Sequence, residues 1–271
     1  MRVAGVIGSP VLHSLSPAIH NAAFEAAGLD WVYVAFEVAP GRAGAALDAM
    51  RVLDLGGLSV TMPHKEDVAA AVDELDPAAA ALRSVNTVAW GADHRLVGHS
   101  TDGAGFVASL AASGVDVTGK SVALVGAGAA ARSVIDALGR AGAADIAVLN
   151  RTPARAAEAA AVSSVARVGD FFDLRPADIV VNATSVGMGT TKVPVDVGQL
   201  HRGQVVADLV YHPLETALLR SAARAGCTTV DGLGMLVHQA VLQQELWTGQ
   251  RPEPAPMRSA ALAELARRAT H

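Results

Sequence analysis

The chain has 271 residues, 51% of them hydrophobic and 17% charged, with a formal net charge of −5; this suits two well-buried globular domains and excludes a disordered tail. A mildly acidic balance without a basic run argues against a nucleic-acid partner, and nine scattered histidines with one cysteine, Cys227, give neither a metal-ligand spacing nor an internal disulfide. The N-terminal "MRVAGVIGSP" is broken by Gly and Pro before a signal-peptide core develops, and no apolar stretch reaches the ~20 residues a bilayer requires, so the expected location is cytoplasmic.

Short β-rich runs at Val3–Gly8, Val32–Val38 and Gly57–Met62 alternate with Ala-rich helical stretches near 17–27, 41–52 and 64–75, the pattern of βαβ units with a parallel sheet. The first helix opens on "HSLSPAIHNAAF", His13 to Phe24. Ser16 followed by Pro17 reads as an N-cap; Ser14, two residues further out, lacks that assignment and points to an anion such as a carboxylate or phosphate at the helix start. Lys65 in "SVTMPHKEDV" is one of only three lysines, with Lys120 and Lys192, and falls in the first turn of a helix begun at Pro63. An amine can release its proton where a guanidinium cannot, which suits Lys65 to acid/base work. Asp102 in "GHSTDGAGFVASL" either caps the helix that follows or, if the fold brings it beside Lys65, orients the ammonium. The domain boundary is expected here, giving 1–101 plus 236–271 as one domain and 102–235 as the other.

A second series begins with "KSVALVGAGAAARSVIDALGRAG": a strand, a glycine turn and a helix ending at Gly139 or Gly142, then a strand from Asp145 to Asn150. Gly126, Gly128 and Ala131 match the dinucleotide pattern G-x-G-x-x-G/A, with Ala127, Ala129 and Ala130 completing the turn that would cradle a pyrophosphate; a plain strand-to-helix turn is the alternative. An NAD site usually carries Asp or Glu at the end of the second strand. Here Asn150 and Arg151 stand there, and Arg151 with Thr152 and Arg155 suits the 2′-phosphate of NADP(H), unless these arginines are merely solvated. Further strands are expected at Asp178–Ser185, Gln204–Tyr211 and Thr228–Gly232, and helices from Leu233 to Trp247 and Pro256 to Ala269. No repeat of fixed period is present.

Taken in order, "GSPVLHSLSP", "SVTMPHK", "SVNTV", "STDGAGF", "GAGAAAR", "NRT", "NATSVGM", "DLVYHPLET" and "DGLGMLVHQA" resemble the shikimate dehydrogenase family along nearly the whole chain. The resemblance implies an α/β fold of two domains: an N-terminal substrate domain with a mainly parallel sheet and a Rossmann-like, doubly wound NADP domain, with the active-site cleft between them. It implies NADPH-dependent reduction of 3-dehydroshikimate to shikimate, in the supply of aromatic amino acids, by a monomer or homodimer. By the same resemblance Ser14 and Ser16 bind the substrate carboxylate, Thr61, Asn86, Tyr211 and Gln239 meet the substrate and its hydroxyls, Lys65 is the catalytic acid/base, and Asp102 binds substrate and holds Lys65. Thr184, Leu209 and Gly232 fall on the cofactor side. Taken alone, Gln239 reads as a helix-surface amide and Tyr211 as a half-buried core ring. Ser59 and Ser100 stand where the family usually has Asn; both keep a hydroxyl but shorten the side chain, so the direct substrate contact at position 59 is expected to be absent or bridged by water. Quinate or aminoshikimate dehydrogenase activity, or a non-catalytic dinucleotide sensor, are the other readings.

Overall fold

The computed structural model describes residues 1–269. Asp102–Leu236 forms one compact unit, and the described residues on either side of it, Met1–Thr101 and those from Val237 on, form the other.

The first unit is built in the order β1 (Arg2–Gly8), α1 (Ser16–Ala26), β2 (Trp31–Glu37), α2 (Ala43–Val52), β3 (Gly57–Val60), α3 (Lys65–Ala71), β4 (Glu74–Leu75), α4 (Pro77–Leu82), β5 (Thr87–Trp90) and β6 (Leu96–His99). Its sheet runs β2-β1-β3-β5-β6-β4, parallel from β2 to β3 and between β4 and β6, antiparallel where β5 meets β3 and β6. The central strands are mostly apolar because both faces are covered: Ile7, Leu58 and Val60 pack in one cluster, Ala4, Val6 and Tyr33 in another. The helix expected over 64–75 ends at Ala71. Asp73 stops it: its backbone N–H bonds to the Leu96 carbonyl and its carboxylate accepts the Leu96 N–H at 2.7 Å, so the chain turns into an edge strand.

The second unit contains α5 (Asp102–Ala112), β7 (Ser121–Val125), α6 (Ala129–Arg140), β8 (Asp145–Leu149), α7 (Pro153–Ala160), β9 (Ala166–Val168), β10 (Ile179–Asn182), β11 (Val205–Asp208), α8 (Ala217–Arg224) and β12 (Thr228–Val230). All pairs are parallel and the order is β12-β11-β10-β7-β8-β9. The chain therefore starts at a central strand, winds outward to one edge, and returns to wind toward the other. That places a topological switch point between β7 and β10, where open α/β sheets bind ligands. Strands expected to reach Ser185 and Tyr211 stop at Asn182 and Asp208, because both side chains fold the chain back onto themselves: Asn182 Oδ1 accepts the Thr184 N–H at 3.0 Å and Asp208 Oδ1 the Val210 N–H at 3.0 Å. Two helices complete the chain, α9 (Gly232–Thr248) and α10 (Pro254–Ala269). Among the described residues no helix is long and apolar enough to cross a membrane, and no group of three or more His, Cys, Asp or Glu side chains could hold a metal.

Candidate active site

In the first unit the expected substrate residues follow the C-terminal ends of β1 and β3. Ser16 does not cap the helix as its order suggests. Leu15 occupies the N-cap position with no side-chain cap, and Ser16 is already helical and buried; its N–H donates to Ser14 Oγ at 3.1 Å. Ser14 Oγ thus takes the Ser16 N–H, one of the unpaired N–H groups at the helix start, while Ser16, inside the helix, is not the N-cap. With its oxygen engaged as acceptor, the Ser14 hydroxyl keeps its proton for an anion.

Backbone bonds draw Thr61, Lys65 and Asn86 together. The Thr61 N–H bonds to the Ile7 carbonyl, the Val85 N–H to the Lys65 carbonyl at 3.0 Å, and the Val60 N–H to the Asn86 carbonyl at 2.8 Å. Lys65 is the first residue of α3, with His64 rather than Pro63 before it as the cap position. Asn86 is buried and accepts the Thr101 N–H at 2.7 Å on Oδ1 while Nδ2 donates to Thr101 Oγ1 at 2.9 Å. Asp102 follows directly, inside the first turn of α5 and not ahead of it as a cap. Gln239, on α9, is buried and not a surface amide.

Beneath these residues runs a buried polar chain whose proton directions can be worked out from one end. The Asn86 carbonyl only accepts, so the group facing it must be Gln243 Nε2, which also donates to Thr87 Oγ1 at 2.9 Å. Gln243 Oε1 then accepts, from the Ser59 hydroxyl at 2.7 Å and from His20 Nε2 at 3.2 Å. Ser59 having spent its proton, the Tyr33 hydroxyl donates to it at 2.6 Å. Ser59 is therefore a relay between a phenol and an amide. Its hydroxyl already gives one bond and takes one, which accounts for a short side chain at this position and leaves Ser100 without an equivalent account.

His20 is wholly buried, stacked on Tyr33 at 4.3 Å with the ring planes 17° apart. Burial lowers its pKa to about 4, against hydrogen bonding to Gln243 and Gln244, which raises it. Folded His20 stays neutral where an unfolded histidine, near 6.5, takes up a proton, so this contribution is intact above 6.5 and declines as pH falls toward 4. Chemical denaturation should show about 2 kcal/mol less stability at pH 5 than at pH 8 from this group. His20→Gln should flatten that acid limb; an unchanged limb would remove His20 as its source.

In the second unit β7 and α6 form the dinucleotide turn. Gly126 has φ +126°, and a Cβ there would lie 2.7 Å from the Ala183 carbonyl oxygen, so only glycine fits. A Cβ at Gly128, the cap of α6, would meet nothing within 4 Å; with Ala129 exposed beyond it, the N–H groups of the first turn are open to an anion, while Ala131 is fully buried against the core. After β8, Asn150 Nδ2 donates to the Thr152 carbonyl at 3.0 Å and shapes the turn. Arg151, Thr152 and Arg155 are exposed, and neither arginine has a hydrogen bond or ion pair among the described residues. An open helix start and two uncommitted guanidiniums fit the pyrophosphate and 2′-phosphate of NADP(H).

The loops after β10 and β11 are locked by a network that the sequence reading did not single out. Asn182 accepts from Thr184 N–H and Oγ1 and donates to the Val186 carbonyl and to Asp208 Oδ1 at 2.8 Å; Asp208 Oδ2 accepts from Thr216 Oγ1 at 2.7 Å. Burial pushes the Asp208 carboxyl up, against the hydrogen bonds from Thr216, the Val210 N–H and Asn182. Polar residues ending the apolar runs "DIVVN" and "VVAD" were the available signal. The network fixes Thr184 and the start of the loop carrying half-buried Tyr211, and a Cβ at Gly232 would lie 2.4 Å from the Leu209 carbonyl oxygen, so those two backbones touch.

The family description "Shikimate dehydrogenase substrate binding domain" matches residues 6–88, "Shikimate / quinate 5-dehydrogenase" 109–192 and "Shikimate 5'-dehydrogenase C-terminal domain" 232–262. The chain is similar to a shikimate dehydrogenase (NADP(+)) of Thermococcus kodakarensis, 43% identical over 96% of each chain. Its fold is similar to that of shikimate 5-dehydrogenase from Thermus thermophilus in complex with NADP(H) and shikimate, with TM-score 0.91 and 37% identity over 97% of this chain and 99% of that one. It is also similar to quinate dehydrogenase from Corynebacterium glutamicum in complex with NAD, with TM-score 0.90 and 34% identity over 97% and 99%. With such identity sustained over nearly the full length, the chain belongs to the shikimate dehydrogenase family.

Proposed function

We propose that this protein reduces 3-dehydroshikimate to shikimate with NADPH, reversibly. The unit of Met1–Thr101 with the described residues from Val237 on holds the substrate and the unit Asp102–Leu236 the cofactor. The observation that carries the reading is the Lys65 constellation: an amine at the first turn of α3, with Thr61 and Asn86 fixed beside its backbone.

Reducing a carbonyl to a hydroxyl requires a proton on the oxygen, and Lys65 Nζ supplies it. Asp102 hydrogen-bonds the reacting substrate. The Ser14 hydroxyl donates to the substrate carboxylate at the start of α1, with Ser16 beside it, and Thr61, Asn86, Tyr211 and Gln239 meet the ring and its hydroxyls. NADPH, when bound, supplies the hydride. Gly126 through Ala130 present backbone N–H groups to its pyrophosphate, Arg151, Thr152 and Arg155 hold its 2′-phosphate with Asn150 shaping the turn, and Thr184, Leu209 and Gly232 border the nicotinamide end.

Shikimate, quinate and an amino analogue of shikimate should be assayed side by side with NADP⁺ and NAD⁺, following reduced-nicotinamide absorbance. The highest kcat/KM is expected for shikimate with NADP⁺. A higher value for quinate would move the assignment to quinate oxidation, and no absorbance change with any pair would leave a binding protein.

A further inference from the structure

We infer that Arg268, on α10, is a positioning residue for the substrate carboxylate, acting through the serine loop. The inference rests on the reading of Ser14 and Ser16 as the carboxylate holders. Arg268 donates through Nη1 to the His13 carbonyl and through Nη2 to the Ser14 carbonyl at 3.2 Å. Its Nε donates to Glu264 at 2.7 Å, so the fork is held from behind while it grips two successive carbonyls in front. Glu264 also accepts from Arg267, so two guanidiniums share one carboxylate and the cluster keeps a net positive charge.

Ser9 N–H bonds to the Met62 carbonyl, Val11 N–H to the Glu37 carboxylate at 2.9 Å, and Ser14 N–H to the Val11 carbonyl. None of these fixes the carbonyls of His13 and Ser14. Arg268 does, and two consequences follow for an anion beside Ser14. The negative ends of two peptide dipoles are turned onto a cation and away from the ligand, and the positive charge lies one peptide from the hydroxyl that binds it. The serine loop thus has an arginine behind it, 254 residues from Ser14 in sequence.

Arg268→Ala should raise KM for shikimate about 10-fold, the scale of a lost charge-assisted contact, with kcat within about twofold and KM for NADP⁺ unchanged. Arg268→Lys, which reaches one carbonyl and keeps the charge, should recover part of the loss and stands in if the alanine variant does not fold. The methyl ester of shikimate supplies a readout that packing alone does not move: its KM should barely respond to Arg268→Ala. Equal effects on acid and ester would overturn the inference. Ser14→Ala serves as the reference: if it raises KM for shikimate and Arg268→Ala does not, the inference fails while the carboxylate reading stands. If Ser14→Ala leaves KM unchanged, the carboxylate reading itself falls and takes the inference with it.

Discussion

With Lys65 replaced by alanine, kcat for shikimate oxidation should fall by about 10²–10⁴-fold, the usual contribution of a positioned acid/base, while KM for shikimate and NADP⁺ changes little. The chain carries only three lysines against many arginines, and this one begins α3 with its carbonyl pinned by the Val85 N–H. Its backbone cannot drift. The residue is half-buried. Lys65→Arg is the sharper variant, because a guanidinium preserves the positive charge but does not release a proton in a protein. If Lys65 served only to attract the substrate, arginine would restore turnover. If it transfers the proton, Lys65→Arg should stay near the alanine variant in kcat, with substrate binding retained in an equilibrium titration. Turnover of Lys65→Ala within about tenfold of wild type would remove Lys65 from the proton step.

The two halves of the site were unequally legible in the sequence. The glycine turn could be read because its constraint is local: Gly126 needs a left-handed φ that the spacing of "GAGAAA" already specifies. The exposed arginines after β8 could be read for the same reason, since a strand end and the next few residues are neighbours in sequence as in space. Ser14 and Ser16 were placed at a helix start, but Ser16 lies inside the helix and Ser14 takes its N–H, a difference of one residue in where the helix begins. Asn182 and Asp208 were quoted inside motifs and given no task, because a task that links two strand ends 26 residues apart is invisible until the strands pair. Ser59 depends on Gln243 and Arg268 on His13, at separations of 184 and 255 residues. Only the fold supplies such partners.

Arg151→Ala should lower the preference for NADPH over NADH by about 10²–10³-fold, because a forked guanidinium contributes roughly two charge-assisted hydrogen bonds to a phosphate dianion. The effect should lie in kcat/KM for NADPH, with the NADH value nearly unchanged. Two observations argue for this size. Asn150 has its amide committed to the Thr152 carbonyl, and no carboxylate stands at this strand end to accept from a ribose hydroxyl, so the turn offers NADH nothing comparable. Among the described residues the Arg151 and Arg155 guanidiniums also have no partner to abandon on binding, so little of the interaction is spent breaking an existing pair. Because both side chains are exposed, the preference should shrink with ionic strength, steeply in wild type and weakly in Arg151→Ala. Calorimetric titration with NADP⁺ and NAD⁺ measures the same discrimination without turnover. An NADP⁺/NAD⁺ affinity ratio that survives Arg151→Ala would make Arg151 a solvated surface residue and shift the 2′-phosphate to Arg155 and Thr152.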